Sequence, residues 1–258
     1  MSNLRFHELR PSQIRAVREK FPVAYLPMGT LEWHGYHNPV GLDGVKATAM
    51  AERFAERIGG LVVPTLWWGD HRGILAEVVF VRPEFDHRPG IAEGHGLSIE
   101  AFQEDAKRAE ADGGWTAYEA VLRNTFYELA TFGFKVIVTI SGHYPLMGPA
   151  SRAAEAFNLA QRARVIPIIG FDLVRDRFQG DHAAQWETSL MLHLRPELVD
   201  MWALEPDRSK PLVGVMGVDP RGTATADYGR RGMEAMTEAL RAKAHEALKE
   251  MGHAVPAA

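Results

Sequence analysis

The sequence predicts an α/β fold in which a mostly parallel sheet is covered by helices on both faces. Short apolar runs of strand length recur along the chain, long segments of helical periodicity separate them, and glycines punctuate the helix ends.

Taken in order, residues 22–28 (Pro-Val-Ala-Tyr-Leu-Pro-Met) read as a short buried strand bounded by proline and Gly29. From Gly44 to Ile58, Val45, Ala49, Met50, Phe54 and Ile58 recur at helical spacing, and Gly59-Gly60 stops the helix. Residues 61–67 form the next predicted strand. Trp115 to Phe132 reads as a long amphipathic helix closed by Gly133, and 134–140 is a dense β-branched run, hence a strand. Met147 to Arg162 is expected to be helical, with Ala150, Ala153, Ala154, Phe157 and Ala160 on one stripe. A strand over 164–170, a helix over Gln185–Leu194 and a terminal helix over Tyr228–Met251 complete the pattern. The stretch from Gly69 to Gly114 fits this plan poorly, being rich in His, Glu, Asp and Gly and too long for an ordinary connection. It is expected to hold a hairpin near Ile74–Val81 and a short polar helix near Ile99–Glu110; a lid, a subunit contact and a solvated excursion all fit it. The chain is thus read as one domain over 1–258, with an atypical insertion at about 70–114.

Composition narrows the function classes. With 258 residues, 46% of them hydrophobic, the chain can bury a sizeable core. Its 29 basic and 33 acidic residues give a net charge of −4, which offers no footprint for nucleic acid or anionic membrane. No run approaches the roughly 20 apolar residues of a membrane span, and the first residues lack the apolar core of a signal peptide, so a soluble cytoplasmic protein is expected. There is no cysteine, so any metal must be held by oxygen and nitrogen.

Three polar clusters stand out against this background. Glu32, His34, His37 and Asp43 lie within twelve residues behind the first predicted strand. His143 follows the strand at 134–140, and Asp181, His182 and Glu187 lie beyond the strand at 164–170. Mixed carboxylates and imidazoles suit a divalent cation such as Zn²⁺ or Mn²⁺. Open α/β sheets build their sites beyond the carboxyl ends of the strands, so all three clusters can reach one edge. Asp43 also reads as an N-cap for the helix that follows, and the two roles can coexist.

The pattern Gly-Thr-x-Glu-x-His-Gly-x-His-x-Pro-x-Gly-x-Asp, ending at Asp43, resembles the signature of the creatininase (creatinine amidohydrolase) family. The stretches 133–143, 181–192 and 224–229 are similar to that family's later motifs, and the similarity covers roughly 20–70 and 115–245. The resemblance implies a three-layer α/β/α domain, symmetric homo-oligomers that are often hexamers, two divalent ions (Zn²⁺ and/or Mn²⁺), and hydrolysis of amide-type C–N bonds in a small-molecule substrate by metal-activated water. Carried over by position, it implies Glu32, His34, Asp43 and His143 as ligands, Asp43 bridging the ions, Glu187 as a further carboxylate at the reacting centre, and His182 as donor of a proton to the departing nitrogen. His37 would orient the loop from behind the ligands. Tyr144 and Trp186 fit either a substrate-side wall or ordinary packing, and Phe178, four residues before His182, stands where creatininases proper carry a tryptophan and is placed with them on the substrate side.

Other aromatics near the motifs, Trp33, Tyr36, Trp67 and Trp68, fit either a pocket wall or ordinary packing. His71, His87 and His95 are expected at the surface. Arg72, Arg175 and Arg177 are the only basic candidates for a phosphate clamp. One departure matters: Pro145 stands where creatinine-hydrolysing relatives carry a metal-binding glutamate after Gly-His-Tyr, and proline offers no side-chain ligand. Creatinine itself therefore becomes doubtful as substrate. Two competing readings use the same residues: a lactonase or lyase acting on another carbonyl compound, and a non-catalytic, metal-stabilised oligomer.

Overall fold

The computed structural model describes residues 3–68, 86–100, 111–160 and 162–254. Within them, four parallel strands, β1 (Val23–Met28), β2 (Leu61–Val62), β3 (Val136–Ser141) and β4 (Arg164–Ile169), form a sheet of order β2-β1-β3-β4. The described helices of eight residues or more are α1 (Pro11–Lys20), α2 (Leu42–Ile58), α3 (Arg88–His95), α4 (Gly114–Thr131), α5 (Met147–Asn158), α6 (Gln185–Leu194) and α7 (Ala226–Glu250).

The strands are mostly apolar because both faces are covered, the exceptions being Arg164 at the exposed start of β4 and Thr139 and Ser141 in β3. Val23 and Tyr25 of β1 and Val136, Val138 and Ile140 of β3 point to one face, where Met50 and Phe54 of α2, Trp186 of α6 and Met236 and Leu240 of α7 meet them. Ala24, Leu26 and Ile137 point to the other, against Leu122 and Phe126 of α4 and Ala150 and Phe157 of α5. The result is the three-layer α/β/α arrangement expected from the sequence. Phe126 and Phe157 are fully buried and meet edge to face at 5.6 Å, so truncating either should cost about 3–5 kcal/mol.

Several boundaries differ from the sequence reading. The strand expected over 61–67 is only two residues long, because Pro64 has no N–H to continue the ladder; the chain touches the sheet again through an isolated bridge between Met28 and Leu66. Helix α2 starts two residues early with Gly41 at its N-cap, so Asp43 sits inside the first turn rather than capping it. Helix α5 ends at Asn158, whose side-chain amide accepts from Val165 N–H at 2.8 Å and donates to Val165 O at 3.1 Å, tying the helix end to β4. Helix α1 was not expected; Pro11 at its first turn is its sequence signal. Between residues 86 and 100, α3 occupies Arg88–His95 and is opened by Pro89. The hairpin expected at 74–81 lies outside the described residues, and of the helix expected at 99–110 only 99 and 100 are described, both helical. Among the described residues no helix is long and apolar enough to cross a membrane.

From β1 the chain runs to β2 on one side and later to β3 on the other, so the strand order reverses between β1 and β3. The crevice beyond the carboxyl ends at such a reversal is where open α/β sheets place ligands.

Candidate metal centre

Glu32 and His34 leave β1 in a loop that Glu32 N–H closes onto Val40 O at 2.9 Å. Gly35 turns the loop with φ +72°, a conformation that favours glycine. Two other glycines let the next element come close. A Cβ on Gly29 would lie 2.2 Å from Gly44 N, and one on Gly142 would lie 2.1 Å from Asp43 O. The first turn of α2 therefore rests directly on the ends of β1 and β3, which brings Asp43 beside His143.

Glu32, His34, Asp43, His143 and Glu187 are all buried and converge, with His182, into three groups of closely spaced donor atoms. The first is Glu32, Asp43 and His143; the second is His34, Asp43 and Glu187; the third is Glu32, His34 and His182. Asp43 divides its oxygens between the first two. Its Oδ2 lies 3.3 Å from His143 Nδ1, and its Oδ1 lies 3.3 Å from His34 Nε2. Glu32 Oε2 stands 2.6 Å from His143 Nδ1, and its Oε1 stands 4.0 Å from His182 Nδ1. His34 Nε2 is 3.7 Å from Glu187 Oε2.

The imidazoles are oriented from outside the cluster. His34 Nδ1 bonds the carbonyl of Glu32 at 3.1 Å, and His182 Nε2 bonds the carbonyl of Trp33 at 2.8 Å. Each bond fixes a tautomer and turns the other nitrogen inward. The backbone of His182 is clamped by a two-bond bridge to Met216. Ala183 beside it adopts φ +53°, a strained value for a residue with a Cβ, and this turns its N–H onto Glu187 Oε2 at 2.8 Å.

The electrostatics are those of a cation site. Burial pushes the Glu32 carboxyl up to about 7, against the pull of His143. Burial opposes charge on His34, yet Asp43, Glu32 and Glu187 outweigh it and raise the ring to about 9. His143 is raised well above the ordinary imidazole value by Glu32 and Asp43, again against burial. Asp43 is held well below the usual carboxylate range by His34, His143 and Lys46 despite burial. His182 goes the other way: burial and the neighbouring His34 lower it to about 3. His34 Nε2 and Asp43 Oδ2 are buried with no hydrogen bond, a combination that is expensive unless a cation receives their lone pairs. The residues present therefore fit a divalent metal.

The structure separates the remaining expected residues. His37 belongs to none of the three donor groups; its Nε2 contacts Thr188 Oγ1 at 2.9 Å and Asn38 Nδ2 at 3.0 Å, and its carbonyl accepts from Asp200 N–H. Asp181 accepts from the N–H groups of Trp186 (2.6 Å) and Glu187 (3.1 Å) and so opens α6; it lines the cavity but belongs to none of the three donor groups. Tyr144 and Trp186 line a cavity of about 400 Å³ over the cluster. Phe178 does not line it; the ring packs against Trp186 at 5.1 Å and reaches the cavity only through that contact. Trp33, Tyr36, Trp67 and Trp68 are also absent from its wall: Trp33 bonds Val213 O and packs on Tyr36, Trp67 covers Gly41 and Gly44, and Trp68 is exposed. His87 is buried rather than at the surface, and accepts from Gly214 N–H at 2.8 Å. Arg175 and Arg177 pair with Asp172 and Asp176 and do not line the cavity; His71 and Arg72 lie outside the described residues.

One residue of the site was missed in the sequence. Lys46, one helical turn after Asp43, is buried with its Nζ on Glu187 Oε1 and 3.7 Å from Asp43 Oδ1. The available signal was a lysine on the buried face of α2, spaced with Asp43 and Met50 at helical intervals.

A family model described as creatinine amidohydrolase matches residues 7–77 and 114–244. The chain belongs to the creatininase family. This is a family of hydrolases, and the buried carboxylate–imidazole groups are compatible with metal-dependent amide cleavage. Residues 78–113 fall outside the creatininase match. A creatinine amidohydrolase of Pseudomonas putida is 29% identical over 225 residues, covering 78% of this chain and 76% of that protein. Two solved creatininase structures, a Zn–Zn type of a glutamate-to-glutamine variant and a manganese form, share the fold at a TM-score of 0.63 each, with 24% identity and coverage of 95% of this chain and 98% of theirs.

Proposed function

We propose that this chain is a metal-dependent amidohydrolase that cleaves a C–N bond of a small amide, cyclic amide or formamide. The observation that supports it is the sharing of Asp43 between two buried donor groups at the floor of a cavity. Glu32, Asp43 and His143 would hold one divalent ion, and His34, Asp43 and Glu187 a second, Zn²⁺ or Mn²⁺ by the chemistry of their donors. Such ions polarise the substrate carbonyl and acidify water.

The protein's own groups supply the rest. His182 is neutral at pH 7, its Nε2–H donates to Trp33 O, and its bare Nδ1 faces inward. At Nδ1 it would relay the attacking water's proton to the departing nitrogen, its low proton affinity favouring the donating half of that transfer. Tyr144 stacks on Phe171 with ring centroids 6.1 Å apart, and with Trp186 forms aromatic walls for a flat substrate. No arginine lines the cavity among the described residues, and its lysine is paired with Glu187, which favours an uncharged substrate over a phosphorylated one. Pro145 lines the cavity in place of the glutamate of creatinine-hydrolysing relatives, which favours an amide other than creatinine. We also read the chain as a homo-oligomer with closed symmetry, a hexamer by resemblance; Trp202, 96% exposed, suits a subunit contact. Sedimentation giving a monomer at micromolar protein would remove that part.

The test is hydrolysis of a panel of small amides, lactones and esters by metal-depleted and reloaded protein. Amide cleavage should vanish on chelation and return with Zn²⁺ or Mn²⁺. Turnover of lactones alone would favour the competing enzyme reading, and bound metal with no turnover the non-catalytic one.

A further inference from the structure

We infer that Lys46 is a built-in cation occupying the second of the two positions, so that the centre holds one tightly bound metal ion, at Glu32, Asp43 and His143, beside the Lys46 ammonium. This rests on the metal-centre reading above and concerns how its two positions differ.

The two donor groups are not equally open. In the first, Glu32 Oε2 and Asp43 Oδ2 meet only His143 Nδ1, at 2.6 and 3.3 Å, an imidazole that can give up its proton to an ion. In the second, both oxygens of Glu187 are engaged: Oε1 receives Lys46 Nζ and Oε2 receives Ala183 N–H at 2.8 Å. The same ammonium stands 3.7 Å from Asp43 Oδ1, the oxygen that faces the second group. Lys46 thus pairs with both carboxylates of that group, the two that a second ion would also need.

Charge counting points the same way. Glu32, Asp43 and Glu187 carry three negative charges in a buried site. One dication and one ammonium neutralise them. Two dications added to the ammonium exceed these three carboxylates by two positive charges, an excess that Asp181 at the start of α6 and a hydroxide would both be needed to offset. Uncompensated charge in a buried cluster is strongly unfavourable. The histidines that face the group, His34 and His182, are metal-binding or proton-accepting only when neutral and add no negative charge. Lys46 is held there by α2, the helix that carries Asp43, three residues earlier.

The experiment is zinc stoichiometry by mass spectrometry and by anomalous diffraction at the zinc edge, on full-length wild type, Lys46→Met and Lys46→Leu. Wild type should retain about one ion per chain after gel filtration and bind another at least about 100-fold more weakly, the scale set by a like charge within about 4 Å. Each variant should retain about two, the anomalous peaks lying on either side of Asp43. Two equally tight ions in wild type, with Lys46 displaced, would overturn the inference and leave the metal reading intact. No retained ion in wild type would overturn the metal reading and this inference with it. Because the wild-type count alone decides the first question, a variant that fails to fold does not rescue the idea.

Discussion

The carbonyl oxygen of Asp43 lies where a Cβ on Gly142 would approach to 2.1 Å, so the turn after β3 and the first turn of α2 are in backbone contact. A side chain at position 142 must push α2 away from the strand end that carries His143. Gly142→Ala is expected to lower stability by about 1–3 kcal/mol through overpacking. It should also reduce amide hydrolysis about 100-fold, since a displacement near 1 Å disrupts the shared geometry. A melting curve and a metal count on this variant check both effects; wild-type values for both would show that the contact is not needed.

Metal binding should release protons at neutral pH. In the metal-free protein His34 is protonated below about 9 and His143 is raised well above the ordinary value, whereas a ligating nitrogen must be bare. Affinity should therefore rise as pH increases from 6 towards about 9, because fewer protons have to be displaced. Calorimetric titration of apo protein with zinc at pH 7, in buffers of different ionisation enthalpy, measures the release. Identical heats in every buffer would rule it out.

Glu187 and Lys46 should behave as a unit. Glu187→Gln leaves a buried ammonium without its counter-charge, expected to destabilise by about 3–5 kcal/mol. Adding Lys46→Met removes the orphaned charge and should recover about half or more of the loss. Denaturant melts of the two single variants and the double variant give the coupling; strictly additive effects would show that the pair does not interact.

Tyr144 is 62% exposed at the cavity rim and takes no part in the donor groups. Tyr144→Ala should raise KM about 10-fold while leaving the metal count unchanged, the pattern of a lost wall contact. A fall in metal content would instead place Tyr144 among the groups supporting the ions.

Strand and helix periodicity made most of the sheet legible, because β1, β3 and β4 are mostly apolar on both faces and need no partner information. Helix α6 was readable to the residue, and α2 to within two residues. What escaped was set by local backbone chemistry. Pro64 shortens β2, and a proline at a first turn starts both α1 and α3. The acidic and histidine clusters could be assigned to one edge from their places after strands, and Glu32, His34, Asp43, His143, His182 and Glu187 do converge there. Lys46 and the roles of the aromatics were not legible. A lysine on an otherwise apolar stripe gives no hint of its partner 141 residues away, and the direction of a tryptophan in a loop depends on contacts such as that of Trp33 with Val213.

The order in which the centre's parts leave the ribosome follows from the strand order. β1 and its loop, bearing Glu32, His34 and Asp43, are made early, yet β1 pairs with β3, whose partner for Val23 is Val136. Glu187 arrives later still, with α6. A nascent chain that stops before β3 owns scattered carboxylates and imidazoles but no preformed cage. The two positions are thus completed in turn, the first with His143 after β3 and the second only with Glu187 on α6.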